Sequence, residues 1–158
     1  MHGLINRSIQ NYVCDSYGAA TWEDVVRAAN LDFGVFEAML TYDDALTPRV
    51  LDAVAGVLAR PRVEVMEDIG TYLVSHPGFE AVRRLLRFGG VDFEDFLHSL
   101  DDLPDRARLA VSDLDLPRLE LREHAQGQYS LICGAPVAGY AHVMMGILRV
   151  MADDYGAL

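Results

Sequence analysis

At 158 residues, 51% of them apolar and 23% charged, the chain is one domain long and rich enough in apolar side chains to build a core, which excludes a disordered tail or a linker. Its 24 acidic residues face 13 basic ones, all arginine, for a net charge of −11, a field that repels nucleic-acid phosphates and anionic lipid. No stretch reaches the ~20 apolar residues of a membrane span and no basic-then-apolar leader opens the chain, so the expectation is one cytoplasmic domain over residues 1–158, with neither nucleic acid nor membrane as a partner.

Leu4, Ile5, Ile9, Tyr12 and Val13 recur at helical spacing and predict an opening amphipathic helix, with Gly18 as its stop. Thr21 ahead of Trp22-Glu23-Asp24 reads as a capping-box start for a second helix. Phe33, Phe36, Met39 and Leu40 suggest a short helix leading into Tyr42. Thr47-Pro48 pairs a capping side chain with proline at the first helical position, and Val50, Leu51, Val54, Val57 and Leu58 then mark the inner face of a third main helix.

Pro61 opens the next helix, with Val65, Ile69, Tyr72 and Leu73 inward and His76-Pro77 as its end. Phe79, Val82, Leu85 and Leu86 carry another to the break at Gly89-Gly90. Asp92 caps a helix through Phe93, Phe96, Leu97, Leu100 and Leu103, which must kink or end at Pro104. After Pro117 the period changes to two: Leu119 and Leu121, then Tyr129, Leu131 and Cys133, flank Gln126-Gly127 and predict a β-hairpin near 118–133. Gly134 and Pro136 break it, and Val137 to Met151 form a final apolar helix. The fold class is therefore α+β and mainly helical, with seven or eight helices, a small antiparallel sheet and a C-terminal helix.

Catalytic signals are thin. Asp101 and Asp102 are adjacent, and neighbours on a helix diverge by ~100°, so they do not present two carboxylates to one bond. Asp92, Glu94, Asp95, Asp101, Asp102 and Asp105 read as a solvated face. Gly89-Gly90 is a stop and not a phosphate loop, and Cys14 and Cys133 lack metal-like spacing. The expectation is a protein that is not an enzyme.

This order of elements, with the residues placed on it, resembles the heme-nitric oxide/oxygen-binding (H-NOX, HNOB) family. The carriers are Met1-His2-Gly3-Leu4-Ile5-Asn6, Tyr17-Gly18 with Trp22, Gly70 with Tyr72, Phe96-Leu97 with Leu100-Asp101 and Leu103, Pro117 with Leu119, and Tyr129. The resemblance covers nearly the whole chain. It implies a sensory domain that holds heme, detects a diatomic gas such as nitric oxide, and signals to a histidine kinase or cyclase. It also implies pocket positions at Ile5 and Pro117, an iron-ligand position at 104, and a propionate clamp of tyrosine, serine and arginine at 129, 131 and 133.

At three of those positions this sequence departs from the family. Pro104 has no donor for iron, and Leu131 and Cys133 replace the clamp's serine and arginine, leaving Tyr129 alone. Among other ligands, His98 lies about 240° around its helix from position 104 and faces away; His142 on the last helix is the remaining candidate to line the cavity, while His2 reads as a partly exposed cap. The sequence stops at Leu158, before the further strands the resemblance implies, so the expectation is a truncated H-NOX-like domain with a hairpin edge open to pairing. The expected function is a non-catalytic regulatory domain in signal transduction, free of heme or binding it weakly, whose pocket is collapsed or holds another apolar ligand. The alternatives are a heme-based gas sensor with a non-standard axial ligand and a module that homodimerises through the hairpin edge.

Overall fold

The computed structural model describes residues 1–134 and 137–157. Helix α1 (Gly3–Tyr17) begins under the ring of His2, whose Nδ1 accepts the Leu4 N–H at 3.1 Å, and so satisfies one of the free donors of a first helical turn. It ends at Gly18, which holds φ +97°. With no Cβ to clash there, the chain turns and resumes at once as α2 (Ala19–Ala28). Thr21 is consequently inside α2 and does not cap it; its hydroxyl donates back to the Tyr17 carbonyl at 3.0 Å.

Residues 31–45 form no helix, contrary to the expectation from Phe33, Phe36, Met39 and Leu40. Their backbone finds side-chain partners instead. The Phe36 N–H donates to Gln10 Oε1 (2.9 Å), Arg7 donates to the Phe36 carbonyl (2.9 Å), and Trp22 Nε1 donates to the Gly34 carbonyl (2.7 Å). Phe33 and Tyr42 pack edge-on and tilted around fully buried Phe36, with ring centroids 5.0–5.7 Å apart. Met39 and Leu40 are exposed.

Helix α3 (Leu46–Leu58) starts ahead of Thr47-Pro48, so Thr47 turns into the core and Pro48 sits within the first turn, where its missing N–H costs nothing. Helix α4 (Arg62–Ser75) follows Pro61, as expected, and a 3-10 turn at Pro77–Phe79 leads to α5 (Glu80–Arg87). Asp92 caps α6 (Phe93–Ser99) by accepting the Asp95 N–H at 2.9 Å. The chain then tightens into a 3-10 turn at Leu100–Asp102 and restarts as α7 (Leu103–Ala110), with Pro104 in its first turn. The helix expected to run through Leu103 thus stops at Ser99, and Pro104 opens the next one. Periodicity passes over α7 because Asp105 and Arg108 are outside and Leu109 is almost fully exposed.

The hairpin forms as expected: β1 (Leu119–Ala125) pairs antiparallel with β2 (Gln128–Cys133), Leu119 opposite Cys133 and Leu121 opposite Leu131. Gly127 takes φ +76° in the turn. Asp101 accepts the Leu121 N–H at 2.9 Å and ties β1 to the 3-10 turn before α7. The predicted break at Gly134 is present, where its N–H bonds the Arg118 carbonyl (2.8 Å); Pro136 lies outside the described residues. Helix α8 spans Tyr140–Asp154, starting three residues later than its apolar run because Val137 accepts the Tyr140 N–H in the entering turn. The α4–α8 pairing is the most extensive helix packing among the described residues; α1 and α3 pack on α4, and α2 packs on α1 and α3. Among the described residues, no helix is long and apolar enough to cross a membrane.

Candidate ligand cavity

Where α1, α3, α4, α5, α7 and α8 converge, the core leaves a cavity of about 230 Å³. Leu4, Ile5 and Ile9 enter from α1, Met66, Ile69 and Leu73 from α4, Leu85 and Leu86 from α5, Leu103 and Ala107 from α7, and Val143 and Ile147 from α8. Leu114 to Pro117, the segment between α7 and β1, closes another side. The contributing helices are mostly the amphipathic ones read from the sequence, so the cavity is what remains where their apolar faces meet without filling the centre.

Its polar groups are few. Ser8 spends its hydroxyl proton on the Leu4 carbonyl (2.8 Å), and Thr47 donates to Asn6 Oδ1 (2.7 Å). The Asp115 carboxylate is turned outward, 86% exposed, and lies 3.4 Å from Arg108. Tyr140, in the first turn of α8, is the remaining polar side chain on the wall, half-buried there. Burial pushes its phenol up to about 12, with the nearby Cys133 thiol adding to the rise, so it stays a protonated donor.

The residues singled out from sequence divide around this cavity. Ile5 and Pro117 line it. Pro104 is buried in the first turn of α7, but Leu103 and Ala107 on either side make the wall. Tyr129, Leu131 and Cys133 are half-buried on β2, outside the lining. Desolvation raises the Tyr129 phenol, and the carboxylates of Glu123 and Glu94 raise it further, so its surroundings are acidic. Burial likewise raises the Cys133 thiol.

His142 does not line the cavity, because α8 turns it outward beside Glu67, Nδ1 to Oε1 3.8 Å. His98 is exposed and outside the lining, with its ring edge-on to Tyr129 at 5.7 Å, although the helical angle expected between it and position 104 does not apply, since the 3-10 turn at Leu100–Asp102 separates their helices. His2 is a cap but a buried one, 6% exposed, with Nε2 3.2 Å from Asp113 Oδ1. Tyr140, Met66 and Leu114 line the cavity without having been singled out by sequence reasoning. The Tyr140, Val143, Ile147 spacing carried a signal for the first, since three- and four-residue steps put all three on one face.

Heme needs an axial donor for iron and cations or hydrogen-bond donors for its two carboxylates. Among the described residues the wall has no imidazole, thiol, arginine or lysine, and no group of three or more His, Cys, Asp or Glu side chains is placed to hold a metal ion. The volume also lies below the ~300–1,000 Å³ of pockets that enclose ligands of drug size. The cavity as built does not fit a porphyrin.

Comparison with known proteins places this geometry. A family model described as Haem-NO-binding matches residues 2–157. Soluble guanylate cyclase gcy-35 of Caenorhabditis elegans is 33% identical over 155 residues, covering 96% of this chain and 22% of that protein. Soluble guanylate cyclase gcy-31 of the same organism is 25% identical over 154 residues, covering 98% and 22%. The chain therefore spans less than a quarter of these relatives. Among solved structures, the Fe(II) unliganded H-NOX protein from K. algicida superposes with a TM-score of 0.81 at 16% identity, over 99% of this chain and 84% of that one. The H-NOX protein from S. oneidensis in its Fe(II)NO state gives 0.74 at 19%, over 99% and 86%. At such identities these two establish the fold.

Proposed function

From the premise that the chain belongs to the Haem-NO-binding (H-NOX) family, we propose that it is a non-catalytic sensory or regulatory domain that signals through a partner of the cyclase or histidine kinase class and binds heme weakly or not at all. The observation that carries this reading is the wall of the cavity: the fold encloses a space whose lining, among the described residues, is largely apolar and lacks both an imidazole and a cation. Pro104 at the ligand position, with Leu131 and Cys133 at the clamp, agrees with that wall. Without a charge-assisted hydrogen bond to a propionate, binding is weaker by about 1.5–3 kcal/mol, and iron ligation is worth more, so affinity for heme falls by orders of magnitude. A sensory role is supported by the placement of the cavity where six helices meet, because an occupant that binds one packing better than another shifts the population of the whole domain. The similarity to segments of guanylate cyclases supports a cyclase-class partner.

A second reading, heme held by a non-standard ligand, draws on the Met66 thioether and the Tyr140 phenol in the lining. The raised phenol works against it, since iron takes tyrosinate. Mixing the purified chain with hemin and removing the excess decides between the two. The expected outcome is no stoichiometric Soret band; a sharp, retained band overturns the heme-free reading. Pro104→His, Leu131→Ser and Cys133→Arg combined are expected to restore measurable heme binding. A folded triple variant that still ignores hemin disproves the assignment of those three positions.

A further inference from the structure

The side chains around the cavity are aliphatic almost throughout, and that restricts what can fill it. No phenylalanine or tryptophan among the described residues lines it, and Tyr140 supplies its single ring. The other rings pack elsewhere: Trp22 and Phe33 against Phe36, Phe79 on Tyr72, Phe93 on Phe96. A flat aromatic ligand therefore finds little to stack on, whereas flexible side chains such as Met66 follow the outline of a hydrocarbon. No arginine, lysine or histidine among the described residues lines the space either, so a carboxylate or phosphate drawn inside would lose its water with no opposite charge in return. The charged residue at the wall, Asp115, is itself an anion and is turned out toward Arg108.

The wall is also unevenly packed. Leu51, Met66, Ile69, Val143 and Ile147 are buried and close the side made by α3, α4 and α8. Leu4, Ile5, Leu73, Val82, Leu85 and Leu116 line the same space but are only half-buried, which leaves apolar surface that the protein's own packing does not cover. An occupant that covers it is favoured in proportion to the area withdrawn from water. An apolar cavity of ~150 Å³ accepts benzene; scaled from that ring, about 230 Å³ gives room for about nine carbons. We propose that the cavity binds one uncharged alkyl chain of about nine carbons or fewer, held by burial alone. The proposal rests on the heme-free reading above and goes one step past it by naming the class of occupant. The inner end of the chain lies between Met66 and Ile69 of α4 and Val143 and Ile147 of α8, so occupancy bears on the most extensive helix pair among the described residues.

A series of straight-chain alcohols from 1-pentanol to 1-dodecanol, titrated by calorimetry, tests this. Affinity is expected to rise about 3- to 4-fold for each added methylene, the worth of burying one CH₂, and to level off near 1-nonanol, where the cavity is full. Octanoate is expected to bind at least 10-fold more weakly than 1-octanol, because its carboxylate must stay hydrated and holds methylenes out of the cavity with it. A flat series, a series still rising at 1-dodecanol as a long lipid chain on an open surface would give, or octanoate equal to 1-octanol overturns the proposal.

Leu85→Trp, on the half-buried part of the wall, is expected to move the plateau to shorter alcohols, and an unchanged series in a folded variant overturns the site. If circular dichroism shows that variant unfolded, intermolecular NOEs from 1-octanol to the Ile69 and Ile147 methyls of the unaltered protein locate the chain instead, and their absence overturns the site equally. A parallel hemin titration separates the two levels. Failure of the alcohols together with failure of hemin sinks this inference alone, whereas tight hemin binding sinks the heme-free reading beneath it.

Discussion

Gly70 of α4 and Gly146 of α8 stand against each other's helix backbones. A Cβ on Gly70 would collide with the Val143 carbonyl oxygen, and a Cβ on Gly146 with the Glu67 carbonyl oxygen. Only hydrogen at both positions lets the helices approach this closely, and the close approach sets how far apart Met66 and Ile69 stand from Val143 and Ile147 across the cavity. Backbone packing of this kind also brings Cα–H groups to carbonyl oxygens, a small additional attraction.

Gly70→Ala and Gly146→Ala are each expected to destabilise the fold by about 1–3 kcal/mol through overpacking against backbone that cannot rotate away. For a chain of this size that corresponds to a melting temperature lower by about 3–10 °C. The double variant is expected to be destabilised by less than the sum, since one separation of α4 from α8 relieves both clashes. Thermal denaturation of the four proteins checks the relationship, and two neutral single variants would contradict it.

Asn6 and Thr47 form a buried polar link between α1 and the first turn of α3. Both are essentially inaccessible, and the Thr47 hydroxyl donates to Asn6 Oδ1 at 2.7 Å while Asn6 Nδ2 has no described partner. Thr47→Val keeps the shape and orphans the acceptor, and is expected to cost about 1–3 kcal/mol. Adding Asn6→Leu removes the orphan and is expected to recover part of that stability. Urea denaturation midpoints at constant slope test both steps.

Asp154, at the end of α8, accepts from Arg83 and, at 3.1 Å, from Arg87, whose guanidinium also lies 4.1 Å over the Tyr155 ring. The Arg83 hydrogen bond, reinforced by the charges of both arginines, holds its carboxyl below the usual carboxylate range. A depressed folded pKa means the stabilisation is complete above the unfolded value near ~3.9 and is lost as pH falls through the lower folded value. With Arg83 and Arg87 side chains 41% and 48% exposed, solvent screening holds the contribution to about 1 kcal/mol. Asp154→Asn is expected to lose that amount at neutral pH and to show a shallower decline below about pH 4. Equal acid limbs in chevron or melting series would remove this carboxylate from the pH response.

Much of the fold was legible because local rules agreed with the tertiary outcome. Gly18, Pro61, Asp92 and Gly127 act through backbone geometry that tertiary packing did not override, and the alternation of Leu119 and Leu121 with Leu131 and Cys133 matches the hairpin register. The failures have a common cause. Phe33, Phe36, Met39 and Leu40 mimic a helical face, but long-range partners, Gln10, Arg7 and Trp22, take the hydrogen bonds a helix would have made. Thr47 looked like a cap because its use, the hydrogen bond to Asn6, lies 41 residues away.

By its sequence alone this protein is a mainly helical, strongly acidic domain of H-NOX type with proline where the family resemblance expects an iron ligand, since periodicity, turn chemistry and residue identity are local properties. Which of those residues meet around the cavity was decided only in three dimensions. His142 was turned away from it and Tyr140 toward it by the rotation of one helix, and that rotation is set by where Gly146 must touch α4, a meeting of segments more than seventy residues apart.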